Sequence, residues 1–279
     1  MFKDKIVFSQ TERFSFRDPA AYIFNGEVYL FFSLVENDID NQYFYIAMSR
    51  SRDFENWTKP EILTEKDISK NYSSPGNVVD YNGEYYLCLQ TYPRPNGEKY
   101  GNENSRIFTM KTTDFKKWSR PEPVMVKGNI SESDMGRMID PYILKDDDKF
   151  ICFFKQNGVS FSESSDMKNW EFKGYTDCGE NVCVVKENEE YIIFNSPENG
   201  INLLSTKDFK HFDSIGTAYL NQSEKPWAKD RITAGFVLDI SRLNIGYKYA
   251  MFYHGDMEDN YIFGASLAVT FSNNLKIWD

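Results

Sequence analysis

The sequence contains only two histidines and four cysteines, and nowhere about 18 consecutive apolar residues of the kind that would suggest a membrane-spanning helix. Its opening stretch, MFKDKIVFSQTERF, lacks an apolar segment of signal-peptide length, which predicts a cytoplasmic protein with no membrane partner. Dense basic runs are missing too, and the balance of Lys+Arg 32 against Asp+Glu 42 leaves a net charge of −10. Nothing is present to track a phosphate backbone, so nucleic acid is not an expected partner. A neutral ligand such as a sugar is indifferent to that charge, which reads as a solubility feature. The cysteines, Cys88, Cys152, Cys178 and Cys183, show no metal-ligand spacing, and Cys88 and Cys152 sit inside strand-like runs. Buried free thiols are expected, with no disulfide, no metal and no cofactor. No stretch holds a 3.6-residue apolar period beyond two turns, so little helix should form.

What the chain does have is aromatic residues. The hydrophobic fraction is 41%, and Phe 23, Tyr 18 and Trp 5 make up much of it, which suits sheets packed on sheets. These residues also repeat. SRDFENW (51–57), TTDFKKW (112–118), SSDMKNW (164–170), TKDFKHF (206–212) and SNNLKIW (272–278) share an Asp or Asn, an apolar residue, two further residues and a closing aromatic. The closing aromatics fall at intervals that fit propeller blades of roughly 40–50 residues with insertions. Ahead of each lies a turn and an alternating aromatic strand: NGEVYLFFS (25–33), NGEYYLCLQ (82–90), DDKFICFFK (147–155), NEEYIIFNS (188–196) and GYKYAMFYH (246–254). Asn25-Gly26 and Asn82-Gly83, set between such runs, are strong hairpin signals.

The pattern predicts an all-β fold, a five-bladed β-propeller of four-stranded antiparallel blades, with residues 1–279 in one domain. In the repeated heptapeptides the Asp is expected to cap a turn, and the aromatic to fill the wedge between blades. Neither role is chemical.

The innermost strands of a propeller line its channel, so equivalent residues of successive blades converge there. Counting back 10 or 11 residues from the aromatic just after each hairpin turn reaches Asp18 before Tyr29, Pro75 and Gly76 before Tyr86, Asp140 before Phe150, and Glu180 before Tyr191. A single Asp-Pro pair is an ordinary turn element. Three carboxylates in matching positions are different, because like charges in a buried ring repel unless a proton or ligand compensates. Glycoside cleavage requires such a set: one protonated acid for the leaving oxygen, one ionised base for water, and a third group to hold the acid's pKa up.

Arg17-Asp18-Pro19 with YIFNGEVYLFFS, Ile139-Asp140-Pro141 with YILKDDDKFICFF, and Gly179-Glu180-Asn181 with VCVVKENEEYIIFNS together resemble glycoside hydrolase family 43 and its relatives across most of the chain. That resemblance implies a five-bladed propeller acting by inversion on arabinosides and xylosides of an oligosaccharide substrate. Carried over position by position, Asp18 would be the general base, Asp140 the pKa modulator and Glu180 the general acid. His254, in FYHGD, resembles a Tyr-His pair of the family and is a candidate sugar contact, with a hydrogen-bonded structural histidine as the alternative. Arg137 and Arg231 stand a few residues before channel positions, where they would donate to sugar hydroxyls or pair with the acids. Asn77 occupies the second blade's equivalent place and is a further candidate hydroxyl donor.

Two other readings stay open. Family 32 fructosidases share the propeller and an Arg-Asp-Pro motif; the Asn-Asp-Pro-Asn element that precedes theirs is not found in this sequence, which places that family second. A sugar-binding propeller without catalysis would explain the aromatics and arginines, but not three acids in register.

Overall fold

The five aromatic strands identified above each become the second strand of their own antiparallel sheet in the computed structural model, which describes residues 4–38, 41–257 and 264–278. The Asn-Gly turns act as expected: Asn25 and Gly26 have φ of 50 and 75, Asn82 and Gly83 of 52 and 78. Two successive positive φ angles match the right-handed twist of the strands they join.

Blade 1 runs Phe14–Phe24, Glu27–Asn37, Gln42–Ser51 and Glu61–Ile62 from the inside outward. In blade 2 the inner strand is split into Tyr72–Ser73 and Val78–Tyr81, followed by Glu84–Thr91, Ile107–Thr112 and Glu122–Pro123. Blade 3 is Ile139–Asp146, Lys149–Lys155, Val159–Ser164 and Glu171–Thr176, and blade 4 is Glu180–Glu187, Glu190–Ser196, Asn202–Thr206 and Asp213–Thr217. Blade 5 takes its inner three strands, Arg231–Asp239, Tyr249–Asp256 and Ala265–Ser272, from the C-terminal part of the chain. Its outermost strand is Lys5–Phe8, paired antiparallel to Ala265–Ser272, so the two ends of the chain close the ring. Among the described residues the helical content is one turn at Glu132–Met135 and three short 3₁₀ segments.

The repeated heptapeptides lie in the turn after the third strand of each blade. In each, one side-chain oxygen of the Asp or Asn accepts two successive backbone N–H groups. Asp53 takes those of Glu55 and Asn56 at 2.9 and 2.7 Å, and Asn274 those of Lys276 and Ile277 at 2.9 and 2.8 Å. Asp114, Asp166 and Asp208 do the same. These hydrogen bonds hold the carboxyls of Asp53, Asp114, Asp166 and Asp208 below the usual range.

The apolar residue that follows has positive φ in Phe54, Phe115, Met167 and Phe209; it is buried in the core in the three Phe and packs partly buried against the core in Met167. There it packs on the preceding blade. Phe115 stacks on Tyr22 and Phe24 of blade 1 at 5.4 and 4.5 Å, and Phe209 meets Phe153 of blade 3. Trp278 meets Phe194 of blade 4, while Phe54 and Trp57 meet Phe252 of blade 5, sealing the last wedge to the first.

Candidate active site

Each inner strand carries a bulge near its start, where two residues oppose one on the neighbouring strand. Register jumps between Arg17 and Ala20, Ile139 and Tyr142, Glu180 and Cys183, and Thr233 and Phe236. Blade 2 achieves the same by interrupting its strand after Ser73. The first bulge residue is in the left-handed region every time: φ is 49 at Asp18, 42 at Ser74, 51 at Asp140, 54 at Asn181 and 55 at Ala234. A bulge bends its strand and re-aims the side chains at that point. Five of them around an axis turn one ring of side chains toward one mouth of the channel. Blades approach closely just behind it: a Cβ on Gly76 would stand 1.6 Å from the Pro141 carbonyl oxygen.

Four of the first bulge residues, Asp18, Ser74, Asp140 and Asn181, line a pocket of ≈ 460 Å³ that takes residues from all five blades, with Arg231, Thr233 and His254 from blade 5. Asp18, Asp140 and Glu180 all line it, together with Arg137, Arg231 and His254. Asn77 does not. Its amide bridges blades 2 and 3, donating to the Ile143 carbonyl at 2.8 Å and accepting the Ile143 N–H at 2.9 Å. That assignment is corrected: Asn77 is a structural tie between inner strands, and Ser74 is the blade 2 residue in the ring.

Glu180 also stands one place away from where the count put it. Its backbone partner is Ser196, which makes it the equivalent of Arg17 and Ile139, while Asn181 is the equivalent of Asp18 and Asp140. Counting from the hairpin aromatic gave an interval of 10 or 11 residues, and that one-residue slack is the width of the error. Glu180 reaches the pocket from the position before the bulge.

The three carboxylates are electrostatically joined. Burial pushes the Asp140 carboxyl well above the usual range, and the charges of Glu180 and then Asp18 push it further, against a Ser74 hydrogen bond and the Arg137 charge. The pocket therefore favours the neutral form of Asp140. Asp18 accepts a hydrogen bond from the Ser33 hydroxyl at 2.9 Å, and its N–H donates to His254 Nδ1 at 3.1 Å. The His254 ring also stands 3.8 Å from an Asp18 carboxylate oxygen, but this is no ion pair. An Nδ1 that accepts a backbone N–H carries no proton, and burial plus the charges of Arg17 and Arg231 hold the imidazole well below its usual pKa.

The sequence did not single out Arg17, Phe44, Tyr92 and Tyr100, which also line the pocket. Arg17 and Arg231 flank the buried Asp256, at 3.3 and 3.0 Å from its two carboxylate oxygens. Arg17 directly precedes Asp18 in its Asp-Pro motif, and Asp256 follows His254 by two residues. Loop 92–106, featureless in sequence, supplies Tyr92, Tyr100 and Gly101 to the wall. It is tied in place by Arg137, whose Nε donates to the Gly101 carbonyl at 2.9 Å and whose guanidinium lies over the Tyr92 ring. Gly101 has no room for a side chain, since a Cβ would meet the Tyr92 ring at 2.5 Å. Phe44 adds a further aromatic surface. Carboxylates below and aromatic faces above suit a sugar ring, whose C–H faces pack on aromatics while its hydroxyls seek charged partners. Among the described residues no group of three His, Cys, Asp or Glu side chains has the arrangement of a metal site, and the four thiols are free.

Five blades around a carboxylate-floored pocket define the class of propeller glycoside hydrolases. Residues 9–188 match the model of the glycosyl hydrolases family 32 N-terminal domain, and the chain belongs to that family. The sequence reading had put family 43 ahead of it, within the same group of propeller glycosidases. No curated protein matches the sequence. Solved structures do match in fold. A family 117 glycoside hydrolase produced by the marine bacterium Zobellia galactanivorans superposes with a TM-score of 0.73 at 14% identity, covering 99% of this chain and 92% of that one. The beta-xylosidase RS223 gives 0.67 at 14% identity, with 96% and 94% covered. An alpha-L-arabinofuranosidase from Podospora anserina gives 0.67 at 13% identity, with 98% and 96% covered.

Proposed function

We propose that the protein is an inverting glycosidase that cleaves arabinosides or xylosides of small plant-derived oligosaccharides, with Asp18 as general base, Asp140 as pKa modulator and Glu180 as general acid. The observation that carries this reading is the convergence of three carboxylates from three blades on one pocket. Asp140, buried beside the other two carboxylates, disfavours further negative charge in the pocket, the part expected of a pKa modulator, and Asp18 and Glu180 at the pocket wall divide the remaining work. Asp18, steadied by Ser33, activates water as the base, and Glu180 hands a proton to the departing oxygen. The names of the xylosidase and arabinofuranosidase neighbours support the choice of pentosides.

Aryl arabinofuranosides, arabinopyranosides and xylopyranosides test it. Turnover of at least one, with proton NMR showing an inverted anomer as first product, is the expected result; a retained anomer removes the mechanism, and binding of pentosides without turnover removes the enzyme. Glu180→Gln should lower the rate about 10²-fold on a natural disaccharide and far less on an aryl glycoside with a good leaving group, which departs without protonation. Equal losses on both would reassign the acid.

The family 32 match favours a second reading, hydrolysis of fructosides on the same carboxylates. Adding sucrose and short fructans to the panel separates the two: turnover of these alone places this chain with the fructosidases.

A further inference from the structure

The bulges that form the floor of the pocket are not held by their own sheets alone. A bulge residue is out of step with its ladder, so its N–H must find another acceptor or remain a buried orphan. Here the acceptor comes from the blade before. The Asp18 N–H donates to His254 Nδ1 of blade 5 at 3.1 Å, and the Ser74 N–H to Ser33 Oγ of blade 1 at 2.7 Å. The Asp140 N–H donates to Gln90 Oε1 of blade 2, and the Ala234 N–H to Ser196 Oγ of blade 4 at 2.8 Å. All four acceptors are buried.

They also share one address. Ser33, Gln90, Ser196 and His254 are the second-strand residues paired with Arg17, Ser73, Glu180 and Thr233, the residues just before each bulge. The fifth residue at this address is Lys155, paired with Ile139. A lysine side chain has donors only, so it has no cap to offer the next blade at Asn181. Gln90 is fixed for its task by a second hydrogen bond, from Nε2 to Ser73 Oγ at 3.3 Å, which turns its carbonyl oxygen toward Asp140.

We propose that Gln90 is a positioning residue for Asp140, and that these cross-blade caps set the mutual placement of the pocket carboxylates by holding the backbone from which Asp18 and Asp140 project. The proposal rests on the reading of Asp140 as part of the hydrolytic set. It separates two kinds of cap that are structurally alike. Gln90 and His254 hold residues that carry a carboxylate, whereas Ser196 holds Ala234, which carries no functional group. Losing either kind orphans a buried N–H, but only the first moves an acid.

The experiment compares Gln90→Met with Ser196→Ala in the full-length protein. Both should lower the melting temperature. Gln90→Met should also lower kcat about 10- to 100-fold at little change in KM, the size expected when a reacting group is displaced by about 1 Å. Ser196→Ala should keep both constants within about twofold, as expected of a cap that orients no reacting group. Gln90→Glu, which keeps an acceptor for the Asp140 N–H, should recover most of the lost kcat. It should also move a limb of the pH profile, because it sets a new negative charge beside Asp140. Equal kcat losses in Gln90→Met and Ser196→Ala overturn the proposal, as does a Gln90→Glu profile that stays in place. If Gln90→Met does not fold, the Gln90→Glu profile decides alone. A wild type silent on every glycoside sinks the hydrolase reading instead. Amide exchange at Asp140, faster in Gln90→Met and unchanged in Ser196→Ala, then shows whether Gln90 holds the bulge.

Discussion

Two rings of fivefold repeated positions run through this molecule, and they treat their side chains in opposite ways. On the outer ring, the turns after the third strands, the backbone repeats and so do the residues: Asp, Asp, Asp, Asp and Asn accept the same two N–H groups, and an apolar residue follows. On the inner ring the backbone repeats just as faithfully, with the same bulge and the same positive φ, yet the residues are Asp18, Ser74, Asp140, Asn181 and Ala234. Where a position serves the fold, one solution is used five times. Where the positions face one pocket, each blade contributes something different, because chemistry needs unlike groups around a common point.

The carboxylates report the same contrast. The outer ones are exposed and accept several N–H bonds, so their ionised form is favoured. Asp140 is buried beside two other acids, so its neutral form is favoured. An acid that is costly to ionise is hard to explain as a structural device, and easily explained as a functional one.

The largest expected effect breaks the comparison from the inside. Asp18→Asn should lower kcat by roughly 10²–10⁴-fold on good and poor leaving groups alike, since both need activated water, while leaving the melting temperature near that of the wild type. The matching outer change, Asp166→Ala, should do the reverse, with a small loss of melting temperature and unchanged kcat. A large rate loss in Asp166→Ala would show that the two rings are not separate.

Next in size is Phe115→Ala. This ring is buried among Tyr22, Phe24, Tyr29 and Trp118 at the wedge between blades 1 and 2. Its removal should cost about 3–5 kcal/mol in chemical denaturation. Below the unfolding transition the remaining folded enzyme should turn over at the wild-type rate per molecule.

The smallest effect sharpens the electrostatic contrast. The folded state keeps a proton on Asp140 that the unfolded chain releases above about pH 4, so the native state binds more protons there and stability falls as pH rises through that window. Asp140→Asn abolishes this contribution and should gain stability relative to the wild type on going from pH 4 to pH 7, even as activity is lost. Asp166 has the opposite sign: its lowered pKa adds stability that is present above about pH 4 and lost as pH falls below it. Denaturation midpoints across this range should therefore diverge between wild type and Asp140→Asn at the neutral end, and between wild type and Asp166→Ala in the opposite sense.

Much of this organisation was legible in the linear chain. The five heptapeptides and five aromatic nonapeptides count the blades, since each blade solves the same packing problem with the same residues. Even the caps were in view: the last residues of the five nonapeptides are Ser33, Gln90, Lys155, Ser196 and His254, which are the second-strand positions beside the bulges. Their common address could have been read from that alignment, but their targets could not, because each acts on the next blade, dozens of residues away.

The sequence by itself determined the repeat, the class of fold and the three acids brought to one pocket. Tertiary structure decided the rest. It moved Glu180 off the Asp18 and Asp140 register by one residue, because a bulge changes the count between strand and channel. It turned Asn77 into a tie between blades, and it brought loop 92–106 to the pocket wall through Arg137 and through backbone bonds such as those from the Tyr92 N–H to the Lys70 and Asn71 carbonyls. Periodicity records the interactions that every blade makes with itself. The site depends on what each blade does to its neighbour, and those contacts exist only once the ring is closed.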